Sequence, residues 1–164
     1  MSGRVERIRI GLILGLLTVL HFTLRPWLPI RLAPDFLLLA LLIYALRAQP
    51  GRAAVAGFLI GLLSDSLTTQ AFGAAMLAYS VVGYLAAWGK AVFFADNAAV
   101  AGGLFFAGVM IRDALVLLWG GHAAGTSAFW QLAVWTPLQA LTTAASGVLV
   151  LLLFPQRLRI RVRE

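Results

Sequence analysis

The stretch that decides the fold of this chain is residues 53–67, which read AAVAGFLIGLLSDSL. It is apolar until a Ser-Asp-Ser triplet near its end, and Gly57 and Gly61 stand four residues apart on one face of a helix. Asp65 follows one turn later on that same face. Glycines let a second helix approach closely, and a carboxylate among apolar residues needs a partner. The stretch therefore predicts a helix that packs against protein and not against lipid.

The composition of the whole chain indicates an integral membrane protein. Of its 164 residues, 62% are hydrophobic and only 12% are charged, and the mean hydropathy is +0.94. Soluble domains carry about 25% charged residues and at most about 50% apolar ones. We expect one membrane domain over residues 1–164, with no separate soluble domain. The net charge of +7 is mostly arginine, and we interpret it as a signal of membrane topology and not of nucleic-acid binding.

Hydropathy predicts a bundle of six transmembrane helices. Residues 10–24 resemble a signal peptide, but no small-residue cleavage site follows, so we expect an uncleaved first span. The second and third spans are short for a crossing of about 20 residues. A re-entrant hairpin is therefore the alternative to the two crossings that we favour. Pro137 predicts a kink in the sixth span. The predicted spans are residues 10–24, 35–47, 53–67, 73–88, 98–119 and 132–154.

Charged residues inside these spans are the candidates for a functional site. Asp65 and Arg112 lie at matched depths, each roughly 5 Å outside the midplane at a rise of about 1.5 Å per residue. We predict that they form a structural ion pair, with Asp113 as the competing acid. A proton or substrate site and a solvated outward cavity are the alternatives. The Pro34-Asp35 pair suits the start of the second helix, because proline favours a first turn and an acid complements the helix dipole.

The sequence contains no pattern typical of catalysis. Serine, histidine and aspartate do not occur in a recognisable nucleophilic arrangement, and Asp65 between two serines has no histidine beside it. The two histidines lack the spacing of metal ligands, the chain contains no cysteine, and it contains no phosphate-binding loop. We therefore predict a protein that is not an enzyme and that uses no cofactor or metal.

Several of these features together resemble a known protein family. The chain is similar to the rod-shape-determining membrane proteins of the MreD family over nearly its whole length, in size, basic ends and number of spans. The run GFLIGLLSD is the most specific part of the resemblance. The positions that carry it are Pro34-Asp35, Pro50-Gly51, residues 57–65, Phe72-Gly73, Tyr79, Gly83-Tyr84 and Arg112-Asp113.

The resemblance implies a non-enzymatic scaffold in the inner membrane of a bacterium. Members of the family work in the elongation machinery that makes side-wall peptidoglycan. They associate with the bitopic protein MreC, and with it support a glycan polymerase and transpeptidase pair and the actin-like filament MreB. Membrane lipid is a further partner, and nucleic acid is not one. In this interpretation the small-residue faces bind partner helices. The candidate structural or interaction residues are Pro34, Asp35, Gly57, Gly61, Asp65, Arg112 and Asp113.

The same resemblance implies an alternative function. The fold of the family is similar to that of the substrate-binding subunits of energy-coupling-factor transporters, so a small-molecule-binding transporter subunit remains open. Fold likeness alone does not establish function. The scaffold interpretation is favoured because few polar side chains of the sequence converge on the predicted outer loops.

The basic residues predict that both chain termini lie in the cytoplasm. With six spans, ten basic residues fall on one side and only Arg25 and Arg31 on the other, and the more basic side is cytoplasmic. Cysteines introduced at Ser2 and Glu164 should react with a membrane-impermeant reagent only after the cells are opened. Labelling of either position in intact cells would contradict this topology. The ten residues are Arg4, Arg7, Arg9, Arg47, Arg52, Lys90, Arg157, Arg159, Arg161 and Arg163.

Overall fold

The computed structural model describes residues 15–17, 19, 23, 33–66, 72–93, 98–120 and 129–153. These residues are helical, with turns between the helices and no strand among them, so the all-α class predicted from the sequence is confirmed. Most of the predicted first span, residues 10–24, lies outside the described residues. The helices are α1 (Phe36–Ala45), α2 (Pro50–Ser66), α3 (Ala74–Phe93), α4 (Ala98–Trp119) and α5 (Thr136–Leu153), and a π-helical turn (Gln131–Trp135) precedes α5.

Among the described residues, two helical stretches are long and apolar enough to cross a membrane. They are Ala99–Trp119, within α4, and Gln131–Leu153, which joins the π-helical turn to α5. Helix α1 is apolar too, but its ten residues span only about 15 Å, half of a hydrocarbon core of about 30 Å. The six-span bundle and its likeness to transporter subunits therefore stay predictions.

Helix α1 is the centre of the core. Its residues from Leu37 to Ile43 are at most 6% exposed, on every side of the helix. A helix that is apolar all round is buried by its neighbours, and here α2, α3, α4 and α5 all contact α1. Val82 of α3 and Phe105 and Val109 of α4 belong to the same buried cluster. The shortest of the helices is thus surrounded by longer ones.

Helices α2 and α3 pack backbone against backbone. A Cβ atom on Gly57 would lie 2.2 Å from the carbonyl oxygen of Tyr79, and one on Gly61 would lie 2.5 Å from the Cα of Met76. Gly83 of α3 approaches the carbonyl oxygen of Ala53 in the same way. The glycine face of α2 therefore packs against protein, as the sequence suggests. The expectation that this face receives a partner helix is wrong, because α3 of the same chain occupies it.

The proline of the sixth predicted span follows an irregular turn. The N–H of Thr136 donates to the carbonyl of Gln131, five residues earlier, which is the hydrogen bond of a π-helix. Pro137, next in the chain, has no N–H to donate, and its ring crowds the preceding turn. The irregularity predicted at Pro137 is thus a widened turn just before it, and this turn leads directly into a buried residue of α5, Thr136.

We predict that Gly61→Ala destabilises the protein by about 1–3 kcal/mol, the range for overpacking a filled site. The added methyl group meets backbone atoms of α3, which cannot move aside like the end of a flexible side chain. Gly51→Ala is the matched control on the same helix, because a Cβ there meets nothing within 4 Å. Thermal unfolding of both variants in detergent measures the difference. Equal stability of the two variants would contradict close packing at Gly61.

Candidate functional site

Asp35 begins helix α1 and lies inside the protein. Its carboxylate oxygen Oδ1 accepts a hydrogen bond of 3.1 Å from the N–H of Leu38, three residues on. This is the N-cap arrangement, which satisfies one of the free N–H groups in the first turn of a helix. Pro34 precedes the cap and holds no place in the helix. The Pro34-Asp35 pair thus marks the helix start, with Asp35 as the capping residue.

The other groups of Asp35 connect α1 to three more helices. Its second oxygen, Oδ2, accepts a hydrogen bond of 3.1 Å from the hydroxyl of Tyr79 on α3 and pairs with Nη2 of Arg112 on α4. Its backbone N–H donates to Oγ1 of Thr143 on α5, at 3.1 Å. Four helices are therefore linked at a single residue that is only 5% exposed.

Arg112 lies between two acids. Its Nη1 is 2.8 Å from Oδ1 of Asp113, while its Nη2 binds Asp35. The guanidinium carbon lies 5.8 Å from the centre of the Tyr79 ring, a distance at which the ring attracts a cation. The arginine side chain is long enough to bring its charge to two partners, although Arg112 and Asp113 leave their helix about 100° apart. The structure thus assigns both neighbours to one site.

Two threonines of α5 complete this site, and sequence reasoning missed them as members. The hydroxyl of Thr136 donates to Oδ2 of Asp113 at 2.8 Å, and Thr143 accepts from Asp35. Both threonines are fully buried. They stand two helical turns apart, on one face of an apolar helix. Such a polar pair at helical spacing is the sequence signal that could have marked them.

The expected ion pair between Asp65 and Arg112 is wrong. Asp65 accepts hydrogen bonds from the backbone N–H groups of Gly73, Ala75 and Met76, at 3.0, 3.3 and 3.0 Å. Its carboxylate therefore caps the start of α3, where a negative charge is favoured by the helix dipole. Depth along a helix can be inferred from sequence, but the direction in which a side chain faces depends on neighbours. The face of α2 that carries Asp65 packs against α3 and not against α4.

We define the ionic cluster as Asp35, Arg112 and Asp113 with their hydroxyl partners. One guanidinium faces two carboxylates, and the three side chains are mostly buried, at 16% exposure or less. Charges in such a place need partners, because desolvation costs several kcal/mol per ion. Among the described residues, the buried Nε of Arg112 has no hydrogen-bond partner. Chemically, the arrangement is suited to holding helices together through polar contacts.

The fold and the cluster define the class of this chain. It is a strongly apolar, all-helical membrane protein whose buried charges tie its helices to one another. A family model described as rod shape-determining protein MreD matches residues 3–156, nearly the whole chain, and the chain belongs to that family. The family consists of membrane proteins with a role in rod shape determination, and it is not a known enzyme family. Neither a curated protein nor a solved structure matches the chain.

We predict that Asp35 and Arg112 are energetically coupled. Arg112→Leu should be costly, about 3–5 kcal/mol, because it leaves two buried carboxylates without their cation. Asp35→Asn keeps the helix cap but removes one of those charges. Arg112→Leu should therefore cost at least about 1 kcal/mol less in the Asp35→Asn background, within the range for residues in contact.

The matched control for this cycle is Asp65→Asn, the same substitution at an acid that does not touch Arg112. Its effect and that of Arg112→Leu should add within about 0.5 kcal/mol, as for independent sites. Thermal unfolding of the single and double variants in detergent gives both coupling energies. A larger coupling at Asp65 than at Asp35 would contradict the site described here.

Proposed function

We propose that this chain is a non-enzymatic scaffold subunit of the bacterial elongation machinery. In this role it binds MreC and, with it, supports the glycan polymerase and transpeptidase that make side-wall peptidoglycan, in association with the filament protein MreB. The observation that carries the proposal is the family match over residues 3–156. The partners follow from the resemblance of the sequence to the family.

The ionic cluster supports a structural role. Lipid tails are as apolar as leucine, so helices in a bilayer are held by close packing and polar contacts more than by hydrophobic burial. Asp35 and Asp113 accept their hydrogen bonds from within the bundle, and Asp65 accepts its bonds from α3. Such carboxylates stiffen a bundle. A stiff bundle keeps its outer surface constant, as a subunit that positions partners requires.

The proposed location is the inner membrane, with six spans and both termini in the cytoplasm. The ionic cluster lies near the start of α1 and the end of α4, whereas Arg47, Arg52 and Lys90 lie at the opposite end of α1, α2 and α3. Exposed aromatic residues at the cluster end suit a membrane interface. We call the end that carries Arg47, Arg52 and Lys90 the basic end, and this division supports an outward cluster and a cytoplasmic basic end. The aromatic residues are Phe72, Trp119, Phe129 and Trp130.

A small-molecule-binding transporter subunit is the second candidate function. The observation on its side is the buried Nε of Arg112, a donor that a polar ligand would satisfy. The engagement of the guanidinium with Asp35 and Asp113 counts against this function, because an arginine that already binds two carboxylates has little capacity left for an anionic ligand. The scaffold is therefore the function that the site supports better.

The test is depletion of this protein in its native host. Cells should lose their rod shape and recover it when the chain is supplied again, and MreC should co-purify with the tagged chain. Immunoblots of the membrane fraction establish that the chain is inserted at its normal level. Cells that stay rod-shaped on depletion would contradict the proposal. Recovery of a stoichiometric small molecule, without MreC, would establish the second candidate instead.

A further inference from the structure

Helix α5 carries three polar residues along one side of a largely apolar stretch. Gln139, Thr142 and Ser146 fall within about 60° of one another around the helix axis, at about 100° per residue. The stretch Gln131–Leu153 is long and apolar enough to cross a membrane, and Thr142 is its middle residue. Along the axis, Gln139 and Ser146 lie only about 5 and 6 Å from Thr142. A crossing at this stretch therefore places all three residues in the hydrocarbon core.

The two hydroxyl groups are satisfied within their own helix, whereas the amide is not. Oγ1 of Thr142 donates to the carbonyl of Gln139 at 2.9 Å, and Oγ of Ser146 donates to the carbonyl of Thr142 at 2.8 Å. The side-chain amide of Gln139 makes no hydrogen bond to the described residues. An amide in hydrocarbon carries a large free-energy penalty until it is paired, because no water is present there. Gln139 therefore needs a hydrogen-bond partner.

The side of α5 that carries this amide continues into the outer surface of the bundle. Gln139, Thr142 and Ser146 are partly exposed. Leu138 and Leu149, next to Thr142 around the axis and farther from the core, are 38% and 59% exposed. Because threonine and serine are small, a second helix can approach closely here. We call the surface formed by Leu138, Gln139, Thr142, Ser146 and Leu149 the α5 flank.

A second copy of this chain supplies a hydrogen-bond partner at the matching depth. Copies of a membrane protein share one orientation, so a two-fold axis along the membrane normal brings Gln139 of one copy level with Gln139 of the other. An amide both donates and accepts, so two facing amides form a reciprocal pair of hydrogen bonds. Trp135, one turn earlier on the same side, has an interaction of its own. The contact therefore runs from Gln139 inward over Thr142 and Ser146.

We propose that the α5 flank is the interface of a homodimer in which the Gln139 amides of two copies pair with each other. The small hydroxyl residues allow the two α5 helices to come close, and the exposed leucines pack along the contact. The interface rests on the membrane location proposed above and not on the binding of MreC. It is separate from the ionic cluster, whose residues bind one another within a single chain.

The first experiment measures self-association of the purified full chain in liposomes. Chains labelled with a donor or an acceptor dye at a single cysteine, Ser2→Cys, are mixed at rising ratios of chain to lipid, and energy transfer gives the dissociation constant of the dimer. Gln139→Leu should raise that constant about 3–30-fold, the range for a hydrogen bond between membrane helices. The matched control is Gln131→Leu, the same substitution at the outer end of the span, which should leave the constant unchanged.

The second experiment locates the contact by cross-linking. The chain contains no cysteine, so a single introduced cysteine can form a disulfide only with a second copy. In liposomes that contain dimers, Ser146→Cys should yield a disulfide-linked dimer on oxidation. Ala107→Cys is the control, because Ala107 is a small, exposed residue near the middle of α4, outside the flank, and it should stay monomeric.

Three results would overturn the proposal. The first is a wild-type chain that stays monomeric at every ratio, since the flank would then serve another protein or lipid. The second is an equal dissociation constant for the wild type and Gln139→Leu. The third comes from thermal unfolding in dilute detergent, where Gln139→Leu should match the wild type. A lower unfolding temperature would assign the amide to a partner in the same chain, for which the predicted first span, residues 10–24, is the candidate.

Discussion

The carboxylate of Asp35 is the point on which the arrangement of the helices depends. It caps α1, accepts a hydrogen bond from Tyr79 on α3 and pairs with Arg112 on α4, while the backbone N–H of Asp35 donates to Thr143 on α5. The leucines around α1 supply burial, but leucine side chains are similar on every face and specify rotation and depth poorly. A buried charge has few acceptable positions, because each unmet hydrogen bond costs free energy. The cluster therefore determines how α1 sits among its neighbours.

Helix α2 is attached by a different kind of contact. Its glycines let the backbone of α3 approach, and Asp65 binds the first N–H groups of α3 across the connecting turn. The face of α2 toward α3 thus carries small residues. Its opposite face carries large apolar side chains, among them Val55 and Leu59, which are exposed. Backbone contact replaces side-chain interdigitation, which suits a medium in which apolar side chains gain little by leaving lipid.

The described acidic and basic residues are distributed unevenly over the bundle. Its described carboxylates all serve inside the protein, two in the ionic cluster and one at the start of α3, whereas Arg52 of the basic end is exposed. Because these acids bind groups inside the protein, the exposed charge of the described residues at the basic end is positive.

The sequence by itself determined the class and the family of this protein and the local roles of several residues. Composition indicated a membrane helix bundle. Pro34-Asp35 marked a helix start, and Gly57 with Gly61 marked a face of close approach, because both features depend on local chemistry or on spacing along one helix. Only the tertiary structure decided which distant acid pairs with Arg112, namely Asp35, 77 residues away. Spacing along a helix gives depth but not which neighbour a side chain faces. Spacing likewise did not indicate that Asp65 would bind backbone N–H groups, since every residue except proline carries one and no side-chain pattern distinguishes them.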